Sequence, residues 1–318
     1  MKNAVFLNVA RLDFDHKLDL SPIDELANVT KYDASSPEEI LERVKDQHVV
    51  ITKELPLGRD LISQFPPSVE LICEAGTGFN NIDIEAAKEK NITVCNVPGY
   101  STEAVAQLAT ALMLNFASSL HLQRLMIERG NFDNFTKDVQ VPHFEVQGKT
   151  LGIICSGAIG RKLMENALTL GMNILVYNRT PRQWDDPGIQ NASLEEVLKQ
   201  SDFVSIHCPL NAGTKHLINK DTLKLMKPTA YIINTSRGEV IKEADIIEAL
   251  QNGVIAGAAL DVQEQEPPAL DNPLFKMDNV ILTPHIGWKT LESRQRLINL
   301  MANNIKAYIG GKPSNVIS

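Results

Sequence analysis

Residues 152–160 read GIICSGAIG and place Cys155-x-Gly157-x-x-Gly160 where a dinucleotide fingerprint carries G-x-G-x-x-G. The surroundings give this glycine turn its weight. An apolar run precedes it, the helical stretch AIGRKLMENALTL follows, and a second apolar run, NILVYN (173–178), comes next. In such a unit Gly157 lets the backbone approach a pyrophosphate, and Gly160 lets the helix pack on the strand. Amides around Ala158 and Ile159, with Cys155 and Ser156 in the same turn, can then hold the phosphates at a helix N-terminus. NAD enzymes place a carboxylate at the end of the second strand for the ribose 2′-hydroxyl. Here Asn178, Arg179 and Thr180 stand there, with Arg182 just beyond. A carboxylate repels a 2′-phosphate, whereas guanidinium and hydroxyl groups bind one. NADP(H) is therefore the favoured cofactor and NAD(H) the alternative. Cys155 is expected to replace the first glycine without harm if its φ is negative, and nothing in its sequence surroundings implies a lowered thiol pKa.

Polar residues recur at the ends of later apolar runs: Arg237 in INTSRGEVIKEADIIEAL, Glu266 in GAALDVQEQEPP and His285 in LTPHIGW. The elements that must position them follow from an alternation of apolar runs and amphipathic stretches. The first half reads as a strand AVFLNVA (4–10), a helical segment around 20–28 and a strand near 29–32. A helix over 37–45, a strand HVVIT (48–52), a helix from Gly58, and strands VELIC (69–73) and ITVCN (92–96) follow. Residues 101–129 read as one long helix, opened by Ser101 or Thr102 and stopped at Gly130. A loop with Pro142 and Gly148 leads to strands at 150–155, 173–178, 203–208, 230–235, 254–260 and 280–284, with helices between them and a last helix in LESRQRLINLMANNIKAYI. Continuous apolar strands alternating with helices predict parallel sheets covered on both faces, with right-handed crossovers and ligands at the carboxyl ends of strands.

The whole chain sets wider bounds. Its 318 residues suit two domains. A formal net charge of −8 argues against non-specific nucleic-acid binding. The N-terminus MKNAVFLNVARLDF lacks a sustained apolar segment and a cleavage site, and no run approaches the roughly 20 apolar residues of a membrane span, so a cytoplasmic protein without membrane contact is expected. Cys73, Cys95, Cys155 and Cys208 lie far apart in sequence with no metal-like spacing. They are expected to be reduced and packed as small hydrophobes, and no metal is expected.

Taken with CEAGTGFNNID (73–83), these segments resemble the D-isomer-specific 2-hydroxyacid dehydrogenase family, most nearly its glycerate dehydrogenase and hydroxypyruvate or glyoxylate reductase members. The resemblance runs from about residue 45 to the C-terminus, with several motifs in the right order. It implies an α/β protein of two Rossmann-like doubly wound parallel-sheet domains. The cofactor domain, at 99–286, would be inserted in a split, flavodoxin-like substrate domain at 1–98 and 287–318. It also implies a homodimer, supported by the helical stretch after residue 100. Arg237 matches the family's substrate arginine, Glu266 the acidic partner and His285 the acid/base. Ala75, Gly76, Thr77 and Gly78, up to Phe79, match the turn that presents amides to the substrate carboxylate. Asp261 matches an aspartate near the nicotinamide carboxamide. His207, Cys208 and Pro209 match the loop beside the adenosine half, and Asn234 and Thr235 lie on the nicotinamide side.

The chemistry explains those residue types. Reduction of a 2-keto acid needs a hydride at C2 and a proton on the developing alkoxide. Imidazole titrates near working pH, and a carboxylate beside it favours the imidazolium and fixes the ring. Arginine can grip a carboxylate and polarise a keto oxygen. Three features qualify the match. Glu74 stands where phosphoglycerate-type members carry a basic residue, so a phosphorylated substrate is disfavoured. Trp288 follows the histidine as in the glycerate and glyoxylate members, or else is only an apolar plug. Lys53, after HVVIT, either reaches substrate or is a surface lysine. The expected activity is NADPH-preferring reduction of hydroxypyruvate or glyoxylate to the D-2-hydroxy acid. The alternatives are an NADH-linked D-lactate-type dehydrogenase and a non-catalytic dinucleotide-sensing regulator.

Overall fold

A computed structural model describes all 318 residues. Contact density separates the chain into two units: Met1–Ser101 with Trp288–Ser318, and Thr102–Gly287.

The smaller unit carries five strands, β1 (Lys2–Phe6), β2 (Ala27–Lys31), β3 (Val49–Thr52), β4 (Leu71–Glu74) and β5 (Thr93–Cys95). They form one parallel sheet in the order β2-β1-β3-β4-β5, the flavodoxin-like order. Strands β3 and β4 are buried at every position, as expected for a sheet covered on both faces. One face packs Phe6, Ile51 and Leu71 against Leu297, Ile298, Met301 and Ile305 of the last helix, Leu291–Ile309. The other packs Val50, Ile72 and Val94 against Ile40, Ile62, Ala86 and Ala87. Local signals fix the helices. Ser36 and Glu39 form a capping box with Pro37 at the first helical position, and Asp83 caps the helix Ile84–Glu89.

The larger unit carries β6 (Thr150–Ile154), β7 (Asn173–Tyr177), β8 (Ile189–Asn191), β9 (Phe203–Ile206), β10 (Tyr231–Asn234), β11 (Gly257–Leu260) and β12 (Val280–Leu282). All pair in parallel, in the order β12-β11-β10-β9-β6-β7-β8. The order reverses direction between β6 and β9, which is where a doubly wound sheet binds its ligand. Both faces are covered, one by a cluster around Leu198, Ile232 and Leu250 and the other by one around Met113, Leu163 and Ala167.

The α/β class and the two parallel sheets are those expected. Several local expectations need correction. The first strand stops at Phe6, and Val9–Arg11 forms a 3-10 turn instead. Strand β8 has only three residues, Ile-Gln-Asn, too short and too polar to announce itself. The single helix expected over 101–129 is two, Thr102–Ser118 and Leu120–Glu128, bent by 61°. Ser119 takes φ +48 at the break, and its hydroxyl accepts no cap bond there. No single helix is long and apolar enough to cross a membrane.

Candidate active site

In the larger unit the glycine turn leaves β6 at Ile154 and is tied to the end of β7, because Cys155 N–H donates to the Tyr177 carbonyl at 2.8 Å. Asn178 braces it from the side. Its Oδ1 accepts from Ser156 N at 2.8 Å and its Nδ2 donates to Ser156 Oγ at 2.8 Å. Gly157 opens the helix Ala158–Thr169 without a side-chain cap, and the first helical bond runs from Arg161 N to Gly157 O at 3.0 Å. The amides of Ala158, Ile159 and Gly160 therefore have no acceptor in the protein, as at any uncapped helix start. A side chain on Gly157 would meet nothing within 4 Å, whereas one on Gly160 would come within 2.8 Å of the Cys155 carbonyl. Open amides, bare space at Gly157 and an exposed Arg179 and Thr180 fit a dinucleotide phosphate. Arg179 and Arg182 make no ion pair of their own.

Two expectations about Cys155 are corrected here. Its φ is +70, the left-handed value that glycine adopts freely and other residues resist. Its thiol is also not isolated. A hydrogen bond with the Cys208 thiol, opposed by burial and helped by the Arg179 charge, draws its pKa below the ordinary value. Cys208 follows His207 past the end of β9, where His207 N–H donates to Ile154 O at 2.9 Å. Burial lowers the His207 pKa to about 4, so the ring is neutral. Its Nε2 pairs with Ser205 Oγ at 2.9 Å and its buried Nδ1 has no partner. Pro209, on the exposed side, accepts from Thr214 Oγ1 at 2.6 Å through its carbonyl.

The three strand-end residues arise from β10, β11 and β12. Asn234 closes β10, and its Nδ2 donates to Arg237 O at 2.9 Å. Thr235 Oγ1 is buried without a partner. The half-buried Arg237 makes one side-chain bond, Nη1 to Ser236 O at 2.8 Å, which leaves most of its five donors open. Gly238 lies so close to the next loop that a Cβ there would sit 1.8 Å from Gln263 O. That contact seats the Arg237 loop on the segment leading to Glu266. Glu266, whose bond to Pro267 is cis, accepts from Gln263 N at 3.1 Å through Oε1. Its Oε2 lies 2.9 Å from His285 Nδ1. Glu266 and His285 are thus a hydrogen-bonded pair, with Nε2 of the ring left over.

His285 takes φ +51, and Asp261 is what holds it there. Its carbonyl accepts from His285 N at 2.8 Å. Its carboxylate, on a residue only 1% exposed, accepts from Thr283 Oγ1 at 2.6 Å, Ile286 N at 2.8 Å and Gly287 N at 2.9 Å. This bracing of the histidine loop could not be read from the sequence, which offers only an aspartate after an apolar run. A second pair also escaped notice. His216, at φ +53, bonds Glu264 through Nε2 at 2.9 Å, and no spacing rule links residues 48 apart.

The smaller unit presents a second turn, after β4. Ala75 N donates to Thr52 O at 2.7 Å, Val97 N to Gly76 O at 2.8 Å, and Thr77 Oγ1 to Val97 O at 3.0 Å. The amides of Thr77, Gly78 and Phe79 have no acceptor within the unit. Lys53 is not a surface residue. It is 2% exposed, its ammonium 2.7 Å from Glu54 Oε1 and 4.0 Å from the Trp288 ring centroid. Burial opposes its charge, but Tyr100, Glu54 and Glu74 outweigh that and hold the ammonium above its ordinary pKa. Glu74 needs correction as a simple anion. It is fully buried, accepting from Glu54 N at 3.0 Å and Asn81 Nδ2 at 2.9 Å. Burial, offset in part by Lys53 and these bonds, raises its pKa to about 7.

Comparison with known proteins places the chain among relatives of one family. Residues 110–287 match the family model described as D-isomer specific 2-hydroxyacid dehydrogenase, NAD binding domain. The chain is 35% identical over 311 residues to a hydroxypyruvate reductase of Blautia hydrogenotrophica, with 95% of each chain covered. It is 38% identical over 285 residues to a glyoxylate reductase of Thermococcus litoralis, covering 88% of this chain and 86% of that one. Among solved structures, the D-lactate dehydrogenase of Aquifex aeolicus, complexed with NAD and lactic acid, superposes with a TM-score of 0.86 at 30% identity, covering 98% of this chain and 96% of that one. A doubly wound sheet with a glycine turn at its switch point, and matches spanning nearly the whole length, lead to one assignment: the chain belongs to the D-isomer specific 2-hydroxyacid dehydrogenase family of oxidoreductases.

Proposed function

We propose that the protein reduces a small 2-keto acid, hydroxypyruvate or glyoxylate, to the D-2-hydroxy acid, with NADPH preferred over NADH. The observation that carries the chemistry is the 2.9 Å bond between His285 Nδ1 and Glu266 Oε2. It fixes the ring and leaves Nε2 to deliver a proton to the developing alkoxide. A bound nicotinamide would supply the hydride. Arg237, with open donors, grips the substrate carboxylate and polarises the keto oxygen. The open amides of the turn after Ala75, in the smaller unit, are also suited to a carboxylate. On the cofactor side, Cys155 to Gly160 receive the pyrophosphate, His207 to Pro209 flank the adenosine half, and Thr235 and Asp261 lie on the nicotinamide side. Asp261 also holds the loop that carries His285.

The preference for NADPH rests on the end of β7. Asn178 is occupied with Ser156, no carboxylate stands beside it, and Arg179 has no anionic partner to release before meeting a 2′-phosphate. Exposed Leu114, Leu120 and Ile127 on the helices after residue 101 suit a twofold homodimer, which light scattering would test. For the activity the test is a panel of NADH and NADPH against glyoxylate, hydroxypyruvate, pyruvate and larger keto acids. Highest kcat/KM for the first two acids with NADPH is expected. Dominance of pyruvate with NADH would make it lactate-type, and cofactor binding without turnover on any acid would make it a sensor.

A further inference from the structure

Cysteines that the sequence scatters are sorted by the fold into two pairs. Cys73 and Cys95 are register partners on β4 and β5, 0% and 2% exposed, closed in by the smaller unit's core. Cys155 and Cys208 are different. Strands β6 and β9 are neighbours with Ile154 opposite Ile206, so the residues just beyond these ends leave the sheet side by side. There Cys208 lies in the buried core of one hydrophobic cluster and Cys155 packs against that cluster from its open side. Cys208 is 2% exposed, whereas Cys155 is partly open to solvent. The Arg179 cation acts on the outer sulfur, and the inner thiol keeps its proton because the neighbouring Cys155 and then burial raise its pKa. An accessible sulfur under the influence of a cation, with a second cysteine packed behind it, is the arrangement of an attacking and a resolving cysteine.

We propose that Cys155 and Cys208 form a vicinal dithiol modification site, built into the glycine turn, that hydroperoxides oxidise to a disulfide. Cys155 Sγ, as thiolate, attacks an oxygen of hydrogen peroxide. The O–O bond breaks, and the departing hydroxide takes a proton to become water, leaving a sulfenic acid on Cys155. Cys208 Sγ then attacks that sulfur, the S–O bond breaks, and a second water departs with the Cys208 proton. Two thiols and one peroxide give one disulfide and two waters, with the sulfurs oxidised and the peroxide reduced. The bridge ties the first residue of the turn to the loop after β9. That consequence for the cofactor rests on the nucleotide reading proposed above, whereas the dithiol itself does not.

The experiment treats the reduced full-length protein with hydrogen peroxide and follows intact mass, cysteine-linked peptides and NADPH affinity. The expected result is loss of two hydrogens, one linked peptide joining Cys155 to Cys208, reversal by dithiothreitol, and NADPH affinity weakened by about tenfold or more. Phenylarsine oxide, which bridges two close thiols, should bind one equivalent. It should bind neither Cys155→Ser nor Cys208→Ser, and should still bind Cys73→Ser. Peroxide that leaves all thiols free, oxidises Cys155 to sulfinic acid without a bridge, or links Cys73 to Cys95 overturns the proposal, as does arsenical binding that survives both serine variants. A Cys155–Cys208 bridge with unchanged NADPH affinity upholds the dithiol site and counts instead against the nucleotide reading of the turn.

Discussion

The two units handle charge at their strand ends in opposite ways. In the smaller one, Lys53 and Glu74 lie at the ends of β3 and β4 and are 2% and 0% exposed. In the larger one, the His285 and Glu266 side chains are 18% and 33% exposed, Arg237 is half-buried and Arg179 exposed. Buried charge is coupled to folding, because desolvation must be offset by partners the fold itself supplies. Rim charge is cheap to fold and free to meet a ligand. Removing a rim group should therefore damage chemistry and spare stability, while removing a buried one should alter stability and its pH dependence.

The sharpest test of that division is His285→Ala. Loss of the proton donor should lower kcat by about 10²–10⁴-fold, with NADPH affinity and the thermal midpoint near those of the parent. Unchanged kcat would remove His285 from the mechanism, and a collapse in stability would erase the distinction between rim and interior. Glu74→Gln probes the other side. The folded protein holds the Glu74 proton up to about pH 7, whereas an unfolded chain releases it near the ordinary value of about 4.3. Between those limits the folded state binds more protons, so stability falls as pH rises. The fall amounts to about 4 kcal/mol at most and is absent below the lower limit. Glutamine cannot ionise, so the variant should gain relative to the parent in urea unfolding between about pH 4 and about pH 8. Parallel stability curves would show that Glu74 does not titrate in this window.

Arg179→Ala asks whether the larger unit's rim charge is aimed at a particular anion. Loss of a charged hydrogen bond should weaken NADPH by about 1–3 kcal/mol and leave NADH nearly untouched. Titration calorimetry with both cofactors decides, and equal weakening of the two would sink the 2′-phosphate assignment.

The alternation of apolar runs made the two parallel sheets legible, because a strand buried on both faces needs an unbroken apolar string. β3, VVIT, and β10, YIIN, are of that kind. β8 failed the same test because its three residues lie at the sheet edge. The break at Ser119 was illegible for a related reason, since no proline or glycine marks it and the bend follows from a φ of +48 that tertiary context imposes. In the candidate site, motif residues could be placed at strand ends, but their partners could not. Asn178 was read for what a carboxylate would do there, whereas its side chain is bonded to Ser156. Asp261 and Gly238 act through backbone contacts across loops, and Lys53 became a buried ammonium only once Trp288 was packed on it. Long-range pairing of this sort, such as Cys155 with Cys208, leaves no periodic trace in a chain.

The smallest expected effect lies in the glycine turn and asks how far the larger unit's site departs from low-cost construction. Cys155 sits at φ +70, where a β-carbon crowds the following carbonyl and a left-handed residue is disfavoured by about 1–2 kcal/mol. Its amide bond to Tyr177 O and its packing on the cluster around Cys208 hold it there. Cys155→Gly relieves the crowding, but it also frees the unfolded chain, which costs about 0.5–1 kcal/mol. The net change in stability should therefore be small and favourable, about 1 kcal/mol or less, read as a rise in the urea midpoint at unchanged slope. Dinucleotide affinity should move by less than about tenfold, because the amides of Ala158 to Gly160 and the open space at Gly157 do not depend on the side chain at 155. A larger gain in affinity would mean that the cysteine distorts the phosphate cradle. A loss of stability would mean that the packing of its side chain beside Cys208 outweighs the strain, making the thiol a structural element of the turn.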